Sequence, residues 1–328
     1  MKRIIFAICT ILCANVLFAQ EQLATLKHND SISVYYGQNA FVEAYNAAAN
    51  GDIITLSDGI FNAPSRVQKG ITVRGNGAFA DTARHSTGTR FRDSFDLLNL
   101  GDSLHFEAEG IYFGTFEAPG SYDVVITRCY VSSIYDIDGL QARNCIIKSG
   151  GNGSTQTSGS DSRYNTYINC ILTGPGIPYT LPENVICNNS IIIGNGESSY
   201  MDYQYNNCIV IKDGTTTDTI LSSAVRNSVL IGYTGASSIN SSGNVAMSLS
   251  DVFENWDGET LSTDLETYVL KSSVSNSILG LDGSEVGIFG GAIPFDWTPT
   301  YSVIKRLDVP NTPDENGMLN IDVEFLTE

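Results

Sequence analysis

The sequence predicts an all-β fold, a single-stranded right-handed parallel β-helix (solenoid), and three observations carry that prediction. The first is a tetrapeptide that returns. Asn144-Cys145-Ile146-Ile147 is followed by Asn169-Cys170-Ile171-Leu172, Asn189-Ser190-Ile191-Ile192, Asn207-Cys208-Ile209-Val210, Asn227-Ser228-Val229-Leu230 and Asn276-Ser277-Ile278-Leu279, and Arg128-Cys129-Tyr130-Val131 is a degenerate earlier copy. Successive Cys or Ser positions lie 16, 25, 20, 18, 20 and 49 residues apart, the range of a solenoid repeat with insertions. The second is the run of short β-branched segments between turns rich in Gly, Asn, Ser and Asp. The third is the near absence of helical periodicity. A mean rung of about 20 residues gives roughly ten rungs over residues 52–290.

Taken in order, the chain opens with Met1-Lys2-Arg3, an apolar run from Ile4 to Ala19 and a polar turn at Gln20. That pattern reads as a signal peptide over residues 1–19 and places the mature chain in the periplasm, on the cell surface or outside the cell. No later apolar run is long enough to span a bilayer. Removing Lys2 and Arg3 leaves 16 basic residues against 36 acidic ones, a net charge of about −20. Such a charge disfavours nucleic acid and anionic membrane as partners. A uronic acid polymer is repelled too, unless calcium bridges the charges or a local basic patch overrides them.

Ile32-Ser33-Val34-Tyr35 alternates as a first strand. A helix follows near residues 39–50, with Asn39 as N-cap, Phe41, Ala44, Tyr45 and Ala48 on one face and Asn50-Gly51 as the stop. Its expected role is to cap the open first rung, whose core and strand edges would otherwise meet water. Asp52 to Leu56, Ile60-Phe61 and Ile71 to Arg74 read as strands, and Gly75-Asn76-Gly77 as a tight turn, since no helix pattern follows it. Leu104 to Phe113 continues the alternation, and the named repeats follow from Tyr122 to Gly235.

Within each repeat the asparagine suits a one-residue bend between strands, where a left-handed backbone is needed. The ladder is expected to comprise Asn144, Asn169, Asn189, Asn207, Asn227 and Asn276, with amides bonded to one another along the axis. Cys129, Cys145, Cys170 and Cys208 share one phase, in which serine replaces them elsewhere, while Cys187 falls outside it. Same-phase side chains in stacked rungs lack disulfide geometry, and five cysteines cannot all pair. They read as buried thiols acting as small hydrophobes. Metal ligation is the sharper alternative, but no C-x-x-C or paired histidine supports it. No cofactor is expected, and calcium has no recognisable loop.

The order helix, Gly51-Asp52-Ile53-Ile54, Asp58-Gly59-Ile60-Phe61 and Lys69-Gly70-Ile71-Thr72-Val73-Arg74-Gly75-Asn76-Gly77 resembles the first rungs of secreted bacterial parallel β-helix proteins of the pectin-lyase-like superfamily. Leu281 to Gly291, with Tyr268-Val269-Leu270-Lys271 upstream, is similar to the closing rung of such proteins, although Ser273-Val274-Ser275-Asn276 replaces the usual intervening segment. The resemblance implies a parallel β-helix over residues 20–295. A C-terminal β extension over 296–328, with strands at 301–305 and 319–325, then covers the last rung or binds a protein partner. The activities implied are hydrolysis, lyase and esterase chemistry. The Asn-Thr-Asp, Asp-Asp, Gly-His-Gly and Arg-Ile-Lys motifs of polygalacturonases are missing, as are the Arg-x-Pro-x-x-Arg segment of pectate lyases and any esterase motif.

Two places nonetheless carry candidate ligand-binding residues. Arg74, Arg84, His85, Arg90 and Arg92 fall within 19 residues of an acidic chain. They could hold a carboxylate-bearing sugar, or simply pair with the protein's own acids. Tyr200, Asp202, Tyr203 and Tyr205 set rings beside an acid, a combination suited to stacking on sugars, unless the alternate tyrosines fill the interior. The expected function is that of an exported, carbohydrate-associated protein, a glycan binder or surface scaffold without an identifiable catalytic site. The rivals are an atypical polysaccharide lyase or glycoside hydrolase acting on a uronic-acid-containing polymer, and an adhesive solenoid that binds protein.

Overall fold

The computed structural model describes residues 22–81, 86–137, 139–148, 163–173, 185–194, 203–212, 225–233, 242–256 and 264–298, together with the backbone of strands Val303–Asp308 and Asp322–Leu326. The expected signal peptide lies outside these residues. Two eleven-stranded sheets run the length of a parallel β-solenoid. The first sheet begins with an antiparallel pair, β1 (Leu23–His28) and β2 (Ser31–Tyr36), and continues in parallel from Ile53–Leu56 to Val225–Arg226. The second runs from Gly59–Phe61 to Val245–Met247. The helix Ala40–Ala47 buries Ala40, Phe41, Ala44 and Tyr45 against the first rungs, where the Phe41 ring meets Phe91 at 4.8 Å and Phe95 at 6.0 Å.

A single left-handed residue turns the chain from the first sheet to the second in each rung. Arg128, Asn144, Asn169, Asn189, Asn207 and Asn227 all have φ between 47° and 56°. The next residue in the repeat points inward, and its chemistry is more specific than packing alone requires. Cys170 N–H donates to Ser190 Oγ at 3.1 Å, Cys208 N–H to Ser228 Oγ at 2.9 Å and Cys129 N–H to Cys145 Sγ at 3.4 Å. A buried backbone donor in one rung is thus satisfied by the small polar atom of the next, which explains why serine and cysteine interchange there. Ser190→Ala should cost about 1–3 kcal/mol in urea unfolding because it strands Cys170 N–H, whereas Ser190→Cys should be near neutral. All five described cysteines are buried and free. Burial pushes the thiols of Cys129, Cys145 and Cys187 well above their ordinary range and that of Cys208 up to about 12, so none of these four is poised as a nucleophile.

The second sheet is apolar on both faces. Ile147, Leu172, Ile192, Val210 and Leu230 face the solenoid core, while Ile146, Ile171, Ile191, Ile209 and Val229 belong to a separate cluster on the outside. That outer cluster is completed by Val252, Phe253, Tyr268, Leu270, Val274, Val286, Ile288 and Phe295 from the segment after the last rung. Here the chain departs from the sequence expectation. Parallel pairing among the described residues ends at Met247, and the described residues between 249 and 298 form no further rungs. Instead they double back as a strap along the asparagine row.

The strap's path is written in its hydrogen bonds. Leu281 N–H donates to Asn207 Oδ1 at 2.9 Å, and Gly287 N–H to the Asn207 carbonyl at 2.9 Å. Asn169 Nδ2 donates to the carbonyls of Ile288 and Gly290, both at 2.7 Å, and Asn144 Nδ2 to that of Pro294 at 3.2 Å. Arg128 Nε ends the series on the Asp296 carbonyl at 3.1 Å. The amides were expected also to bond to one another along the axis, and among the described members Asn207 Nδ2 to Asn189 Oδ1, at 3.5 Å, is the one pair that does. Asn276 leaves the ladder altogether: it follows the short helix Ser272–Ser275 with φ −90°. The Leu281–Gly291 stretch, read as a closing rung, is the strap itself. Its glycines are needed because a Cβ at Gly290 or Gly291 would meet the Asn189 amide or the strap's own backbone.

Candidate functional site

One row on the outer face of the second sheet can be followed through every rung. In register it reads Ile60, Arg90, Tyr112, Tyr130, Ile146, Ile171, Ile191, Ile209, Val229 and Val245. From Ile146 to Val229 these side chains are fully buried under the strap. Tyr130, 7% exposed, is still covered, and beyond it the row opens to a half-buried Tyr112 and an exposed Arg90, changing from aliphatic to aromatic and then to cationic. The Tyr112 and Tyr130 rings stack at 4.7 Å with 17° between planes, and the Arg90 guanidinium lies 4.1 Å from the Tyr112 centroid. That is cation–π geometry.

The strap's end supplies the margin of this corner. Trp297 packs edge-on against Phe79 at 5.0 Å and Phe295 at 4.9 Å, and Phe79 is edge-on to Tyr130 at 5.2 Å. Arg128 holds the strap there. Its Nη1 donates to Glu109 Oε1 at 3.2 Å, and both side chains of this ion pair are about nine-tenths buried. Arginine in place of asparagine at this rung therefore anchors Asp296 and positions Trp297 beside the exposed part of the row. Hydroxyls line the adjoining positions: Tyr112 Oη and Ser132 Oγ share a hydrogen bond at 3.0 Å, and Ser133 pairs in register with Thr115.

Farther along the same strands the chemistry turns acidic. Asp96, Glu117 and Tyr135 occupy one register position on neighbouring strands, with Asp136 immediately after. Asp96 Oδ1 is buried and accepts no hydrogen bond from the described protein atoms. Burial, reinforced by the neighbouring Asp96 and Asp136 charges, raises the proton affinity of Glu117 above the ordinary carboxylate range. Because Glu117 binds its proton more tightly folded than unfolded, stability falls as pH rises from the ordinary carboxylate value through the raised one. Glu117→Gln should therefore raise the thermal midpoint at neutral pH, and that gain should vanish in melts below about pH 4. Glu117 lies five residues beyond Tyr112, at most about 17 Å along the chain. Because Phe113 and Phe116 both point into the core, the strand bends between them, so cation, rings, hydroxyls and carboxylates form a curved strip rather than one flat face.

Of the residues singled out from sequence, Arg90 sits in this corner. Arg92 is exposed and lies just past the end of that strand, with its N–H donating to the Phe61 carbonyl at 2.9 Å. Arg74 lies on the first sheet, paired in register with Thr55 and Glu109. Arg84 and His85 lie outside the described residues, as do Tyr200 and Asp202. Tyr203 is described only as strand backbone, and Tyr205, 2% exposed, is part of the solenoid core and cannot present a ring to an outside sugar. Sequence reasoning missed Phe79, Tyr112, Tyr130, Asp96, Glu117 and Trp297. A signal existed for the tyrosines: Gly110-Ile111-Tyr112-Phe113 has the same bend, inward residue and outward residue as the later repeats, with tyrosine where they carry isoleucine.

No group of three or more His, Cys, Asp or Glu side chains among the described residues is arranged to hold a metal ion. No described helix is long and apolar enough to cross a membrane. Comparison with known proteins finds no family model, no curated protein and no solved structure that matches this chain.

Proposed function

We propose that this chain is an exported glycan-binding solenoid of the pectin-lyase-like kind, and that it holds its ligand on the outer face of the second sheet where the strap ends. The observation that carries this reading is the change of the outer row at that point from buried isoleucines, through a buried Tyr130, to the half-buried Tyr112 with the exposed Arg90 stacked on it. A strip combining ring edges, hydroxyls, a guanidinium and carboxylates offers donors and acceptors along the length of an oligosaccharide. Its acidic half favours a neutral glycan, whose hydroxyls donate to Asp96 and Glu117, over a polyuronate, which those carboxylates repel. Retention of the purified protein on immobilised neutral polysaccharides, with uronic polymers tested with and without calcium, examines the proposal. A neutral glycan should retain it, and Tyr112→Ala and Arg90→Ala should each abolish retention without unfolding the protein. No retention on any polymer, or retention indifferent to both substitutions, would overturn the reading.

A second reading is glycoside hydrolysis. It is favoured by one observation, the raised proton affinity of Glu117 beside Asp96 on the neighbouring strand, which suits a general acid with a second carboxyl group next to it. New reducing ends released from the retained glycan, and lost in Glu117→Gln, would select it over binding alone.

A further inference from the structure

The structure points to a second copy of this chain as the partner of β2: we propose that two molecules pair antiparallel along their β2 edges and join their solenoids end to end. Edge strands are ordinarily blunted by shortness, charge or a covering segment. The other ends of the two solenoid sheets follow that rule, being two or three residues long: Val225–Arg226, Gly59–Phe61 and Val245–Met247. β2 does not. It is six residues long, pairs with β1 alone among the described strands, and exposes Ile32 at 70%, Val34 at 43% and Tyr36 at 59% on one face.

Self-pairing fits this strand for two reasons on its own surface. Centred on Val34, an antiparallel pair sets Val34 against Val34 and Ile32 against Tyr36, so both apolar stripes fall on the same face and merge. Pairing centred between residues would set the stripe of one copy against the inward face of the other. The charge pattern agrees. Between Asp30 and Glu43 no residue is charged, in a chain whose net charge is −18. Two such acidic molecules repel over most orientations, and this edge is where they meet no like charge. The stripe is smaller than the roughly 800 Å² per partner of a stable complex, so association is concentration-dependent.

Sedimentation velocity of protein beginning at Gln20, over a concentration series, tests the inference. The wild type should move from monomer to dimer, and Val34→Lys, which sets two ammonium groups face to face, should weaken association about tenfold or more with an unchanged unfolding midpoint. Val34→Cys should give a covalent dimer on oxidation, while Ile60→Cys, also exposed but off this edge, should not. A monomer at every concentration, a dimer that survives Val34→Lys, or equal cross-linking at both cysteines would overturn the proposal. Glycan retention is measured separately on the monomeric Val34→Lys protein, so failure of one proposal leaves the other legible.

Discussion

A chain ended after Ser248 should aggregate on expression, although every parallel rung is still present. The reason is the second sheet's outer face. Removal of the strap uncovers Ile146, Ile171, Ile191, Ile193, Ile209, Ile211, Val229 and Ile231, each no more than 4% exposed in the intact chain. Each loses about 1.5–3 kcal/mol of burial, and together they form one contiguous apolar surface far larger than soluble monomers expose. Fractionation of expressed protein and dye binding by any soluble portion check this. A soluble, monomeric truncation would mean that the outer isoleucines do not need the strap.

Asn169→Ala should lower stability by about 3–4 kcal/mol in denaturant unfolding, the largest effect expected of any single ladder substitution. Two costs combine. The Ile288 and Gly290 carbonyls, each now receiving a 2.7 Å hydrogen bond from Asn169 Nδ2 in a buried setting, lose their donor. Stranding buried acceptors costs about 1–3 kcal/mol each. Alanine must also adopt φ near 50°, which asparagine tolerates better, at about 1 kcal/mol or more. Asn169→Gly separates the two: it should recover only the backbone part, about 1 kcal/mol, and leave the hydrogen-bonding part unrestored. Asn227 serves as a comparison, since its described neighbours are Ser242 and Gly243 of the next rung rather than the strap.

The solenoid was legible in the sequence because each rung repeats one local problem. A left-handed bend, a small inward residue and a β-branched strand recur at Asn144, Asn169, Asn189, Asn207 and Asn227, and nearest-neighbour stacking turns that repetition into sheets. Asn276 misled for an instructive reason. Its tetrapeptide matches the repeat, yet Ser272–Ser275 closes a helical turn there, and no preceding strand of the first sheet leads into it. The strap was hidden because its contacts are long-range: Asn169 meets Gly290 across 121 residues. One clue lay in the consecutive isoleucines, for a strand that is apolar at every position must be covered on both faces. The candidate site was only partly readable. Arg90 stood out by charge, but its stacking on Tyr112 depends on a register that aligns residues 22 apart.

The covered and uncovered parts of the second sheet's outer face have different roles in this account, and amide hydrogen exchange with and without a retained neutral glycan tests that division most directly. Added glycan should slow exchange in peptides spanning Thr89–Phe91, Ile111–Glu117 and Tyr130–Tyr135, and leave the strap between Leu281 and Pro294 unchanged. Protection confined to the first sheet, or spread over the strap and the buried isoleucine rungs alone, would contradict it.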